Sequence, residues 1–285
     1  MGTGASTVPE VAGLSTETQE ALKTLPDAAK AELLAKMAKM PTSEVAWQAV
    51  YGALGCLATK DIGECVKHLL NDGEDQVAKE AHAISFIVLG GATPTTEGYA
   101  VPPETKSQVF WVAPFESKEA YNSKDHHERP ARAENFGAIM KTALTGNPMA
   151  DMAGGYMGPL WLLEKSTTTA TGLYSIYVAA KAKDASGAHA LVEANKAHGL
   201  RQLATESGAL RYMIIPPGGD MPGGDSDDAK LTVRWVETWQ TAADHEAHKK
   251  SAHLAEVGPK MKELTTEMNV IEFATTAHFG KGRSA

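Results

Sequence analysis

His198, His248 and His253 share the most clearly patterned third of the chain with Tyr212, Glu237 and Trp239. An imidazole with an ordinary pKa near 6.5 is suited to taking a proton from a phenol at neutral pH, and Tyr and Trp rings make apolar pocket walls. His198 follows Leu191 by two helical turns and so shares the inner face of its helix. His198 and His248 are therefore the candidate bases. The spacings argue against a metal. On one continuous helix His248 and His253 point about 140° apart. His245 and His248 can share a face, but no third ligand is evident. A plainer account stands beside each residue: a histidine on an apolar face is more often a satisfied core residue, Glu237 beside a helix start ties a strand end to backbone amides, and Trp239 is core.

The elements that must position these groups are readable from period and caps. In KLTVRWVETW, Leu231, Val233 and Trp235 alternate with Thr232 and Arg234, a strand. Thr241 caps a helix with Asp244 in its first turn, and Leu254, Val257, Met261 and Leu264 continue that helix as an apolar stripe. Upstream, Leu173–Lys183 reads as a strand, Asp184–Glu206 as a helix and Ala209–Ile215 as a strand. Val270–Phe279 is the last strand.

This β-α-β-β-α-β order, with Glu237-Thr238-Trp239 closing a strand and His248 and His253 on the helix after it, resembles the antibiotic-biosynthesis-monooxygenase (ABM) family of dimeric α+β barrels over about residues 172–280. The resemblance implies a small-molecule pocket between sheet and helices, with His198 and His248 as catalytic candidates. Tyr177, Asn195, Tyr212, Arg234, Glu237, Trp239 and His253 become the substrate-binding candidates. It also implies cofactor-independent oxygenation or isomerisation of an aromatic, quinol or polyketide-like molecule, in which the substrate's own anion reduces dioxygen. No cofactor or metal is then expected. The haem-degrading branch of that family uses an Asn on the first strand and a Trp followed ten positions later by a His. Here Tyr174–Ala180 has no Asn, and the two helix positions are His248 and Gly258.

The chain from Glu44 repeats the plan more loosely. Phe115 and Trp239, Trp47 and Thr171, and Ser117 and Thr241 are each 124 positions apart. Trp47–Thr59 reads as a strand weakened by Gly52 and Gly55, Asp61 caps a helix, and Pro130 kinks or restarts another. Ala113 and Phe115 stand where the later copy has Glu237 and Trp239, so the earlier copy reads as a structural mate. The expected fold is α+β: two ferredoxin-like halves forming an intramolecular pseudo-dimeric barrel, sheet against sheet, because a four-stranded sheet with helices on one face must bury the other. The expected parts are a leader and helical arm at 1–43, a first half at 44–165, a linker at 166–171, a second half at 172–280 and a tail at 281–285.

Composition narrows the partners. The 285 residues carry a formal charge of −8 with pI near 5.7, which disfavours nucleic acid. No run of eighteen apolar residues spans a bilayer, and the first twenty residues lack an apolar leader. Cys56 and Cys65 read as reduced thiols, which fits an intracellular, cytoplasmic setting. The arm, Ser15–Met40, carries Leu22, Leu33, Leu34 and Met37 for packing or self-association. Pro216–Asp228 is Gly-rich but acidic, a loop rather than a phosphate cradle. Beside the enzyme stands a non-catalytic alternative, a binding or assembly protein built on the same tandem barrel.

Overall fold

Strand alternation and helix caps set the elements of the computed structural model, which describes residues 46–93, 108–147, 156–165, 169–219 and 227–280. In chain order they are β1 (Gln48–Ala58), α1 (Ile62–Lys79), β2 (Ser85–Thr93), β3 (Gln108–Phe115), α2 (Lys118–Tyr121), α3 (Lys124–His127), α4 (Pro130–Lys141) and β4 (Tyr156–Glu164). There follow β5 (Ala170–Ala182), α5 (Ala185–Thr205), β6 (Ala209–Ile215), α6 (Asp227–Leu231), β7 (Thr232–Trp239), α7 (Ala242–His248), α8 (Ala252–Leu264) and β8 (Thr265–Gly280). The capping residues read from the sequence are in place: Asp61, Ser117, Asp184 and Thr241 each accept a backbone N–H three positions on, satisfying amides that the helix leaves unpaired. Pro130 opens α4 at its first turn, where a missing N–H costs nothing. The described residues, 46 to 280, form one compact unit. The leader and the arm lie outside the described residues, as does part of the linker, whose last residues belong to β5. No described helix is long and apolar enough to cross a membrane.

The expected architecture, two ferredoxin-like halves joined as a pseudo-dimeric α+β barrel with sheet packed on sheet, is corrected by the strand ladder. The eight described strands form a single closed antiparallel barrel in the order β1-β3-β2-β8-β5-β7-β6-β4. Closure comes from main-chain pairing, not from two stacked layers: β2 pairs β8 from Ser85 opposite Gly280 to Thr93 opposite Glu272, and β4 pairs β6 from Trp161 opposite Ile214 to Glu164 opposite Arg211. The physical reason is the edge problem. Stacked sheets leave rows of unpaired N–H and C=O at their edges, and a closed barrel leaves none.

With eight strands the interior is just wide enough to be filled by side chains. Val50, Leu54, Ile87, Leu89, Phe110, Val112, Leu160, Tyr177, Met213, Ile215, Val236, Ile271 and Phe273 fill it. Two further apolar layers lie between the barrel's outer wall and its helices. One joins Leu57, Phe86, Val88, Val109, Trp111 and Phe115 to α1 and α4. The other joins Tyr174, Ile176, Val178, Tyr212, Ile214, Trp235 and Trp239 to α5 and α8.

Candidate functional site

On the β5–β8 side the chain does something that periodicity along one helix conceals. The helix after Thr241 stops at His248, turns through Lys249 and Lys250, and restarts at Ala252 under a new cap, Ser251, whose side chain accepts the Leu254 N–H at 3.3 Å. The angular argument that separates His248 from His253 fails there, because they sit on different helices. Their rings are 5.3 Å apart, and His198 of α5 lies 5.3 Å from the first and 5.1 Å from the second. All three are buried. Glu206, the C-cap of α5, accepts from His248 Nδ1 at 3.0 Å through both oxygens. It also stands 3.3 Å from His253 Nε2, within ion-pair reach but not aligned for a hydrogen bond. Among the described residues His198 Nδ1 and Trp239 Nε1 have no hydrogen-bond partner. Burial first, then the neighbouring histidines, pushes the His198 pKa down to about 3, so the ring is neutral. Burial likewise lowers His253, against the pull of Glu206.

Other expected residues join this cluster. The Tyr212 hydroxyl donates to Asn195 Oδ1, and Asn195 Nδ2 donates to the Leu191 carbonyl at 2.8 Å. Glu237 is buried, which raises its pKa, and accepts from Trp235 Nε1 at 3.1 Å. The Trp239 ring packs 4.8 Å from His248. Tyr177 and Arg234 stand apart from it: Tyr177 belongs to the barrel-interior cluster and packs against Phe110 in a tilted pair at 4.9 Å, with Arg234 beside it.

On the β1–β4 side lies a cavity of about 130 Å³ between the barrel wall and α1 to α4. Its walls include Leu69, Phe86, Trp111, Tyr121, Phe136 and Met157, and its polar groups are Asp72, Gln76, His126 and Arg132. Sequence reasoning passed over these four, because the earlier copy lacked the Glu-x-Trp strand end. One signal was available: small residues facing a large one. Gly55 lies opposite Trp111 in the β1–β3 register, and a Cβ on it would meet the indole at 2.0 Å. The glycine that weakens β1 as a strand reading is what lets that ring lie flat along the wall.

The polar groups of this cavity are held by a buried charge network. Arg129 donates Nε–H to Glu80 at 2.9 Å, Nη2–H to Asp72 at 2.8 Å and Nη1–H to Asp75 at 2.6 Å. His126 Nδ1 is 3.1 Å from both Glu80 oxygens, and its Nε2 is 3.2 Å from Arg132 Nε. A guanidinium nitrogen can only donate, so Nε2 accepts and Nδ1 carries the proton to Glu80. Arg132 also stacks over Phe136 at 5.3 Å. Among the described residues Gln76 Nε2 has no hydrogen-bond partner. Burial above all raises the Asp72 pKa, against the pull of Arg129 and Arg132. A wider cleft of about 340 Å³, lined by Lys79, Glu80, Lys124, Asp125, Glu128 and Arg129, opens on the solvent side of the same network and has only charged walls.

No protein-family model and no curated protein matches the chain. Solved structures do. A protein of Lactobacillus acidophilus NCFM, provisionally named a monooxygenase, superposes with TM-score 0.59 at 12% identity, over 82% of this chain and 98% of that one. A second protein so named, from Fusobacterium nucleatum, gives 0.56 at 11% identity, over 82% and 95%. At such identities the likeness establishes a shared fold, the closed barrel with its flanking helices, and function has to be argued from the site.

Proposed function

We propose that the protein is a small-molecule oxygenase of the type the structural neighbours are named for. Its substrate would be a single-ring phenol or quinol bound in the cavity beside Trp111. The observation that carries this reading is the cavity itself. Its walls are aromatic, and its size is close to the roughly 150 Å³ that accommodates a benzene ring in an apolar core. The orphaned Gln76 amide asks for an acceptor, and the Arg132 guanidinium favours an anion.

The roles follow from the groups. Asp72, a lining carboxylate made more basic by burial, takes the phenolic proton. Arg132, held by His126 and through it by Glu80, faces the phenolate and lowers the substrate's pKa. The apolar walls keep the anion poorly solvated, which raises its tendency to give an electron to dioxygen.

The test is a panel of phenols and hydroquinones. Binding is read by quenching of Trp111 fluorescence, with Trp111→Phe to assign the signal, and turnover by oxygen uptake. Arg132→Met and Asp72→Asn should each lower oxygen uptake by about a hundredfold, the range for losing one acid–base or charge-stabilising group.

A second reading keeps the base on the β5–β8 side, as expected from the sequence, and is favoured by the Glu206–His248 pair. Under it, His248→Gln and not Arg132→Met abolishes uptake. If no member of the panel binds, the non-catalytic alternative, a binding or assembly protein, takes the place of both.

A further inference from the structure

We propose that His198, His248 and His253 form a binding site for one divalent first-row transition-metal ion, zinc being the simplest case. The site lies in the helix layer on the opposite side from the Trp111 cavity and does not depend on the function proposed for that cavity. One ligand nitrogen from each histidine lies within 4.8 Å of the other two, and all three side chains are at most 6% exposed.

Three features separate this cluster from an ordinary packing of rings. His198 Nδ1 is buried with no partner among the described residues, an arrangement that costs free energy unless something accepts its lone pair or proton. Glu206 takes the Nδ1–H of His248, which fixes the tautomer and leaves Nε2 as a lone-pair donor directed away from the carboxylate. Metal-binding histidines are oriented in this way by a carboxylate behind them. Finally, the ligands come from separate elements, α5 on one side and the α7–α8 corner on the other, so the ion would bridge them beside the Glu206–His248 and Arg201–Glu256 contacts.

The geometry is within reach. Metal–nitrogen bonds of about 2.1 Å in a tetrahedron put nitrogens about 3.4 Å apart. Closing from 4.8 Å is a movement of the size that imidazole rotation supplies. Three nitrogens and no sulfur select zinc, copper, nickel or cobalt over magnesium or calcium. Three protein ligands leave a fourth position open for water or a small anion.

The test uses the full, untagged chain stripped of metal with chelator and then titrated with Co²⁺ and Zn²⁺. One Co²⁺ per chain should bind, with visible ligand-field bands, and Zn²⁺ should displace it. His198→Gln and His253→Gln should each weaken Zn²⁺ binding about a hundredfold or more, and Glu206→Gln about tenfold. His189→Gln, an exposed histidine of the same helix, should leave it unchanged. Should a variant fail to fold, X-ray absorption of the Zn²⁺-loaded wild type reads the first shell directly. Three imidazoles support the site. A shell of oxygens alone, no stoichiometric Co²⁺ binding, or undiminished binding in folded His198→Gln and His253→Gln would overturn it.

Discussion

Arg129 gathers most of the buried charge on the β1–β4 side. Its Nε, Nη1 and Nη2 donate to Glu80, Asp75 and Asp72 in turn, and the side chain is only 5% exposed. Removing one partner of a buried ionic network leaves the others uncompensated in a poor solvent, which costs more than the network gains on forming. Arg129→Met should therefore destabilise by about 3–5 kcal/mol, read as a lower urea midpoint at unchanged slope. Gly55 makes a second prediction at this scale. A methyl group there collides with the Trp111 ring, which can only retreat toward the cavity. Gly55→Ala should cost about 1–3 kcal/mol as an overpacked site, and it should weaken phenol binding more than Gly52→Ala, whose clash is with Leu160.

Among the elements, the short corner 249–251 decides the most. Ser251 restarts the helix and so brings His253 onto the same cluster as His248. Ser251→Ala removes the cap and should cost about 1 kcal/mol. It should also loosen Co²⁺ binding several-fold, which the same titration measures. The individual elements were legible in the sequence for local reasons. β6 begins and ends where alternation places it, α5 runs between the cap Asp184 and Glu206, and Pro130 restarts a helix as a proline must. The corner was not legible while one apolar stripe, Leu254 to Leu264, could be read backward as the continuation of α7. Ser251 before Ala252 was the available sign, a cap in mid-stripe. The charged groups of the cavity were hidden for another reason. Asp72, Gln76, His126 and Arg132 come from α1, α3 and α4, and nothing in the local pattern says that they converge.

For the whole molecule, closure through β2–β8 and β4–β6 predicts cooperativity. If the two helix layers hung on separate sheets, they could melt separately. On one barrel wall with a shared interior they should not. Trp111 reports one layer and Trp239 the other. Urea unfolding followed in Trp111→Phe and in Trp239→Phe, each corrected for its own stability, should give transitions that coincide with circular dichroism. Two resolved transitions would refute a single cooperative barrel. This pairing was beyond sequence reasoning because Ser85 and Gly280 touch across most of the chain, and main-chain hydrogen bonds leave little trace in residue type.

The β2–β8 ladder also bears on how the protein is made. β2 leaves the ribosome early, and its partner β8 is the last of the eight strands to be synthesised. Until then one edge of β2, with Phe86, Ile87, Val88 and Leu89 in succession, has no strand to pair with. At an ordinary elongation rate of roughly 5–20 residues per second, that exposure lasts about ten seconds or more. A premature stop before Thr265 would leave β2 without the strand that closes the barrel beside it. Shortened products should accordingly be found in aggregates and with chaperones, while a loss of the same length from a surface loop is borne by the finished molecule.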